Sequence, residues 1–432
     1  MAAFGMLALS GCASLSATTA PTTATPLPTA DNAEQRSLHL VGGRWFDGAR
    51  FVTGDWYVVD GRFTRTRPAR IDAALNLADR YIIPPFAEAH NHDLQNAFTA
   101  SMNAKSYLDR GVFFSAQLCS MPEETRGYRG LLSSTANVDV LFAGGCISAS
   151  DGHPLGIALA SYKAEGMPVE PDAIRNKGYW SIDSRAELDE RWPTISADKP
   201  KLLKVILIDS ANHAANRKRP ELFGFNGLDP ALVPDIVARA KAIGARVAAH
   251  VDTASDFDTA VRGGVDIIAH LPGYRIARRH AIADYRLSDE AIAEAARRGV
   301  LVTPTVAVAR HHLRANPGDG NAIMANHADN IRRLRAAGVK LILGSDLFGG
   351  SVLDEVEAID ALGIMPRAEL LRIATSDTAR AIFPDRRIGK FEEGAEASFI
   401  ALDADPLSDL TAIRRIRAAV KQGNLLARAP AR

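Results

Sequence analysis

The chain has 432 residues, enough for one large catalytic domain with a smaller companion. Hydrophobic residues make up 47% and charged residues 23%, the balance of a folded protein with a sizeable core rather than of a disordered one. Lys plus Arg number 51 against 50 for Asp plus Glu, and no basic stripe is interleaved with aromatics, which argues against a nucleic-acid reader.

In chain order, residues 1–11 read MAAFGMLALSG, an uncharged and mostly apolar stretch too short to span a bilayer. It matches the end of a signal-peptide core, and Leu9-Ser10-Gly11-Cys12 resembles a bacterial lipobox, in which the cysteine is acylated. The resemblance implies a lipid anchor on Cys12 and, with Ala13 behind it, an exported protein on the periplasmic face of the outer membrane. The pattern departs from the usual one in lacking Lys or Arg before the apolar run. The plain alternative is an apolar N-terminus with a chance cysteine. Residues 13–35 are mainly Ala, Ser, Thr and Pro and read as a flexible tether that cannot bury enough surface to order itself.

From residue 38 to 83, short β-prone runs alternate with Gly42-Gly43, Asp47-Gly48 and Asp60-Gly61, the signature of a small antiparallel sheet. After Pro84-Pro85 the texture becomes alternating strand and helix. Strands are expected at 203–208, 245–250, 265–270, 300–305 and 339–345. Asp229-Pro230 opens one helix, which Gly244 ends, and Leu287-Ser288 opens another, which closes at Gly299. Repeated βα units imply a parallel sheet, open or closed, and the length of 84–385 suits a (β/α)8 TIM barrel with insertions. Beyond Pro384 the β texture returns. Residues 386–425 are expected to join 36–83 in one composite β-sandwich beside the barrel.

Chemistry-bearing residues fall at or near these strands, mostly at C-terminal ends, the face where barrel sites form. His90 and His92 stand two apart after an apolar run, so on a strand they point the same way and can share a metal. Lys204 interrupts the apolar run 202–207, where an ammonium is costly to bury unless paired or neutralised; the bland reading has its stem lying along the barrel surface. His250 and His270 each end an apolar run, 20 residues apart, about one βα unit. Asp346 follows another such run and reads as either a helix cap or a functional group.

Taken together, His90-x-His92, Lys204, His250, His270 and Asp346 resemble the metal site of the amidohydrolase superfamily. The flanking text agrees: Pro84-Pro85-Phe86-Ala87-Glu88-Ala89-His90, Gly264-Val265-Asp266 leading into His270-Leu271-Pro272, and Gly394-Ala395-Glu396-Ala397-Ser398-Phe399. The most similar branch holds imidazolonepropionase-like proteins and Xaa-Pro dipeptidases. The resemblance implies two divalent metal ions, zinc fitting this donor set best, with manganese and cobalt as the alternatives. His90, His92 and Asp346 would hold one ion and His250 and His270 the other. A CO2-derived carbamate on Lys204 and a hydroxide would bridge them, with Asp346 as the proton shuttle. It further implies hydrolysis of an amide or peptide C–N bond in a small molecule or short peptide, and it leaves self-association open. His153, after the third strand, is the first candidate for orienting substrate, and Tyr274 the second, as a donor to its carbonyl.

Two other classes compete. A mononuclear deaminase or imidazolone-type hydrolase would leave Lys204 unmodified, and relatives of that kind normally place another residue there. A non-catalytic binding lipoprotein would be a degenerate barrel, although all six metal-site residues are present. The third and second cysteines, Cys146 and Cys119, pair in an oxidising compartment if they lie close enough.

Overall fold

The computed structural model describes residues 37–274, 277, 280–315 and 317–427. The lipobox cysteine Cys12 and the tether lie outside these residues. Mixed α/β architecture follows from two kinds of strand run, one short and turn-punctuated, the other apolar throughout.

The first kind builds two small sheets from both ends of the described chain. In one, Arg62–Thr64, Trp56–Val59, Ser37–Val41 and Ala73–Asn76 lie side by side in that order. In the other, Tyr81–Ile83 pairs antiparallel with Phe399–Leu402, setting Ile400 opposite Ile83, and Phe399–Leu402 pairs in turn with Ile416–Lys421. Leu40, Trp45, Trp56, Phe63, Ile82 and Phe399 form one buried apolar cluster contributed by both. The expectation of a purely antiparallel sheet needs correction, because Ser37–Val41 runs parallel to Ala73–Asn76 and Arg44–Phe46 runs parallel to Tyr81–Ile83. The chain between each parallel pair is long enough to cross over, which a hairpin cannot do.

The second kind forms parallel strands buried on both faces. Phe86–Asn91 pairs with Val112–Gln117, and that strand with Asp139–Phe142. Leu202–Leu207 pairs with Arg246–Val251, which leads on to Ile267–Ile268 and Leu301–Val302. Further bonds join the two groups. The amides of Ala143 and Gly144 donate to Gln117 and Leu202, Ile342 donates to Val302, Ala89 to Leu343, and Asp346 to His90. Hydrogen bonds therefore run from the His90 strand through the Lys204, His250 and His270 strands to residues 341–346 and back to His90.

Helices between these strands start and stop where local chemistry dictates. Thr253 and Asp256 form a reciprocal capping box for Ala254–Gly263, which ends at Gly264 in the left-handed region. Ser288 caps Asp289–Arg298, and Gly299, also left-handed, ends it. Asp229 accepts from the amide of Ala231, opening a single 3-10 turn that leads into the helix Val233–Ala242. The strands expected at 265–270 and 300–305 are shorter than their apolar runs. Pro304 has no amide proton to extend the ladder at the end of the second, and of the strand expected at 339–345 only Leu341 bridges Val302. No helix among the described residues is long and apolar enough to cross a membrane.

Candidate metal centre

Strand alternation delivers His90 and His92 to one point. Their Nε2 atoms lie 3.3 Å apart, and Oδ1 of Asp346 is 3.2 Å from the first and 3.5 Å from the second. The candidate ligand atoms of these three residues all fall within 4.8 Å of one another. On the opposite side, Nε2 of His270 is 2.6 Å from Nδ1 of His250. The His90 and His270 rings stack at 5.9 Å, which joins the two groups. Lys204 is buried among them, its Nζ 3.1 Å from Nε2 of His90.

The protonation chemistry of this cluster suits a cation. Burial, then the Lys204 charge, hold His90, His92 and His270 well below the ordinary imidazole range. Burial and then His270 do the same for His250. A neutral imidazole carries one ring proton, and His90 commits its own: Nδ1 lies 2.7 Å from the carbonyl of Ala269, an acceptor only. Nε2 of His90 is thus a lone pair facing His92, Asp346 and the amine of Lys204. Several lone pairs and a carboxylate aimed at one buried point repel one another unless a cation sits between them, so the donor set fits a divalent metal. Burial also pushes Asp346 up to about 6 and Lys204 down to about 8.

The two substrate candidates border the same space. The His153 ring stacks on His250 at 5.1 Å, and burial brings its pKa down to about 4. The Tyr274 ring is 4.6 Å from that of His270, but its hydroxyl donates to Oδ2 of Asp346 at 2.9 Å. Its proton is therefore directed at Asp346 and not into open space. Arg310, His311 and His312 are exposed on the following helix, with the His312 ring 6.0 Å from Tyr274.

The roles of four residues were not foreseen from the sequence, although Glu88 stands in the Pro84–His90 motif. Glu88, buried two positions before His90, accepts from the amides of His90 and Ser345, both at 2.9 Å, and so fixes the strand Phe86–Asn91 against residues 341–346. Thr305 contacts Tyr274, and Glu355 holds the amides that follow Thr305. Phe348 presents an exposed ring 6.0 Å from His92. An acid just before the histidine pair was the available signal for Glu88; the others depend on tertiary contacts. Cys119 and Cys146 form a disulfide, their Cα atoms 4.7 Å apart, an ordinary separation for a bridge.

Residues 218–426 match the model of the amidohydrolase family. Ochratoxinase of Aspergillus niger is 24% identical over 302 residues, 65% of this chain, and the chain spans 58% of that protein's length. Among solved structures, an Xaa-Pro dipeptidase with methionine bound in its active site superimposes with a TM-score of 0.70 at 17% identity, covering 90% of this chain and 99% of that one. The A. niger ochratoxinase structure gives 0.69 at 17% identity, with 91% and 96% covered. At these identities the likeness shows a shared fold.

Proposed function

We propose that this chain is a metal-dependent amidohydrolase that cleaves a C–N bond in a small peptide or cyclic amide. One observation carries the reading: the imidazoles of His90, His92, His250 and His270 converge with Asp346 around the buried amine of Lys204. The family match over residues 218–426 and the fold shared with hydrolases support it. So does the circuit of hydrogen bonds from the His90 strand back to itself, which favours a closed (β/α)8 barrel over an open sheet. The pairing of Tyr81–Ile83 with Phe399–Leu402 favours the division into a composite sandwich, 36–83 with 386–425, and a barrel, 84–385.

His90, His92 and Asp346 would hold one divalent ion, and His250 and His270 a second, zinc being best suited to imidazole and carboxylate donors. When bound, such a pair lowers the pKa of a shared water and polarises the scissile carbonyl. Lys204, as the neutral amine, would add CO2 and lose a proton to give a carbamate, whose two oxygens suit a position between two cations. Asp346 would take the proton of the attacking water and pass it to the leaving amine. His153 would orient the substrate from beside His250. Tyr274 acts first on Asp346, holding Oδ2 and leaving Oδ1 toward the histidine pair.

Anchoring through Cys12 after export accords with the Cys119–Cys146 disulfide, since such bridges persist in oxidising compartments. The test is metal analysis joined to turnover of a panel of dipeptides, N-acyl amino acids and lactams. The expected result is two ions per chain and hydrolysis of at least one panel member. A protein that binds no divalent ion overturns the reading, and one ion per chain redirects it to mononuclear chemistry.

A further inference from the structure

Two non-glycine residues beside the centre hold left-handed backbone, Thr305 at φ 51° and Asp346 at φ 53°. For a β-branched residue such as threonine this is uncommon, because Cβ crowds its own backbone. Strain of this kind persists where the surroundings over-determine it. Around Thr305 they do. The next two amides, of Val306 and Ala307, donate to the two carboxyl oxygens of Glu355 at 2.9 and 2.7 Å. Glu355 is completely buried, so water does not compete for that grip. The start of the helix Val306–Ala315 is thereby fixed, and with it the direction of Thr305.

Held this way, Oγ1 of Thr305 lies 3.1 Å from the Tyr274 hydroxyl, while that hydroxyl donates to Oδ2 of Asp346 at 2.9 Å. A phenol has one proton. Because it goes to Asp346, the phenol oxygen is left as the acceptor and Thr305 is the donor. The chain has a direction, from Thr305 to Tyr274 to Asp346. It occupies Oδ2 and leaves Oδ1 facing His90 and His92 at 3.2 and 3.5 Å.

We propose that Thr305 is a positioning residue: supported by Glu355, its hydroxyl fixes Tyr274 so that Asp346 presents Oδ1 to the metal centre. The proposal rests on the reading of Asp346 as the proton-handling group. Without the hydroxyl the phenol can rotate away, and misorientation of a reacting group by such a loss of support typically costs about 10–100-fold.

The experiment compares zinc-loaded wild type, Thr305→Val, Thr305→Ser and Glu355→Gln. Valine keeps the shape and the branched Cβ but has no donor; serine keeps the donor. Crystal structures report the Tyr274–Asp346 contact, elemental analysis reports bound zinc, and kinetics use whichever panel dipeptide the wild type cleaves. For Thr305→Val, kcat falls about 10–100-fold with KM within about twofold, zinc content stays at the wild-type level, and the contact opens beyond hydrogen-bond distance. Thr305→Ser restores kcat to within about threefold of wild type. Glu355→Gln gives the same signature in milder form, and it decides the question if the valine variant does not fold. Retention of wild-type kcat and of the contact in Thr305→Val overturns the proposal. If wild type cleaves no panel member, the hydrolase reading fails, while the crystallographic comparison still decides whether Thr305 positions Tyr274.

Discussion

The amine of Lys204 stands 3.1 Å from Nε2 of His90 on a strand whose six residues, Leu202–Leu207, are all buried. A lysine in that position has no solvent to reach, and removing it leaves a hole among four imidazoles. Lys204→Ala is expected to lower kcat by about 100-fold or more and to reduce bound metal. Elemental analysis with steady-state kinetics checks both. Wild-type metal content and activity in the alanine variant would rule out a bridging role for this residue.

A second buried lysine does structural work. Lys421, fully buried at the end of Ile416–Lys421, donates to Oδ1 of Asp139 at 2.7 Å and to the carbonyls of Ser134 and Asn137. Oδ2 of Asp139 accepts from Arg386 at 2.8 Å, and Arg386 also grips Glu396 with two bonds. This network ties the C-terminal strand to the parallel strand Asp139–Phe142. Asp139→Ala leaves the buried Lys421 ammonium without its counter-charge, while Arg386 keeps Glu396, and should destabilise by about 3–5 kcal/mol, whereas Lys421→Met, which substitutes an apolar chain for one charge, should cost less. Urea unfolding ranks the two variants; the reverse order contradicts this account.

Acid stability should report on Asp183. Burial raises its pKa, but the Arg217 guanidinium, with the hydroxyl and amide of Ser150, outweighs burial and holds the carboxyl at about 2. The folded value is depressed below the ordinary 3.8, so the stabilisation is complete above about pH 4 and is lost as pH falls through about 2. With both side chains about three-quarters buried, the shift amounts to about 2 kcal/mol. The stability gap between wild type and Asp183→Asn should therefore be full near neutrality and close between about pH 4 and pH 2. A gap that is constant with pH would assign the effect to packing.

What could be read in the sequence was what residue identity and strand alternation encode. His90 and His92, Lys204, His250 and His270 each interrupt or end an apolar run, so their convergence needed only parallel strands in register. Asp229 with Gly244, or Ser288 with Gly299, likewise mark helix ends in short spacings. Tyr274 was legible as a neighbour of the site but not as a donor to Asp346, because that bond joins residues 72 apart across two loops. Glu355 reads as one acid in an amphipathic helix, and only packing of Val352–Asp360 against Val306–Ala315 reveals what it holds. The parallel pairs in the small sheets were hidden because turn signals mark where strands stop and not which neighbours they choose. The Cys119–Cys146 bridge was equally beyond reach, since 27 residues of separation leave the distance open.

Substrate preference should follow Phe348. Its side chain is 73% exposed although it stands beside the site, with its ring 6.0 Å from His92. The loop that carries it is held firmly. The amide of Gly349 donates to Asp93 at 2.9 Å, and Arg110 donates to the carbonyls of Gly349 and Gly350, also at 2.9 Å. A rigidly presented benzyl group facing solvent gains by being covered, and an apolar substituent that covers it contributes about 1–3 kcal/mol, or roughly 10–200-fold in kcat/KM. Phe348→Ser is therefore expected to lower kcat/KM for dipeptides with a large apolar residue by at least about tenfold, with little change for glycine-containing ones. Because the ring lies outside the proposed metal donors, Phe348→Ser should leave the metal content unchanged. An equal loss across both substrate groups would mean that Phe348 shapes the loop and not the choice of substrate.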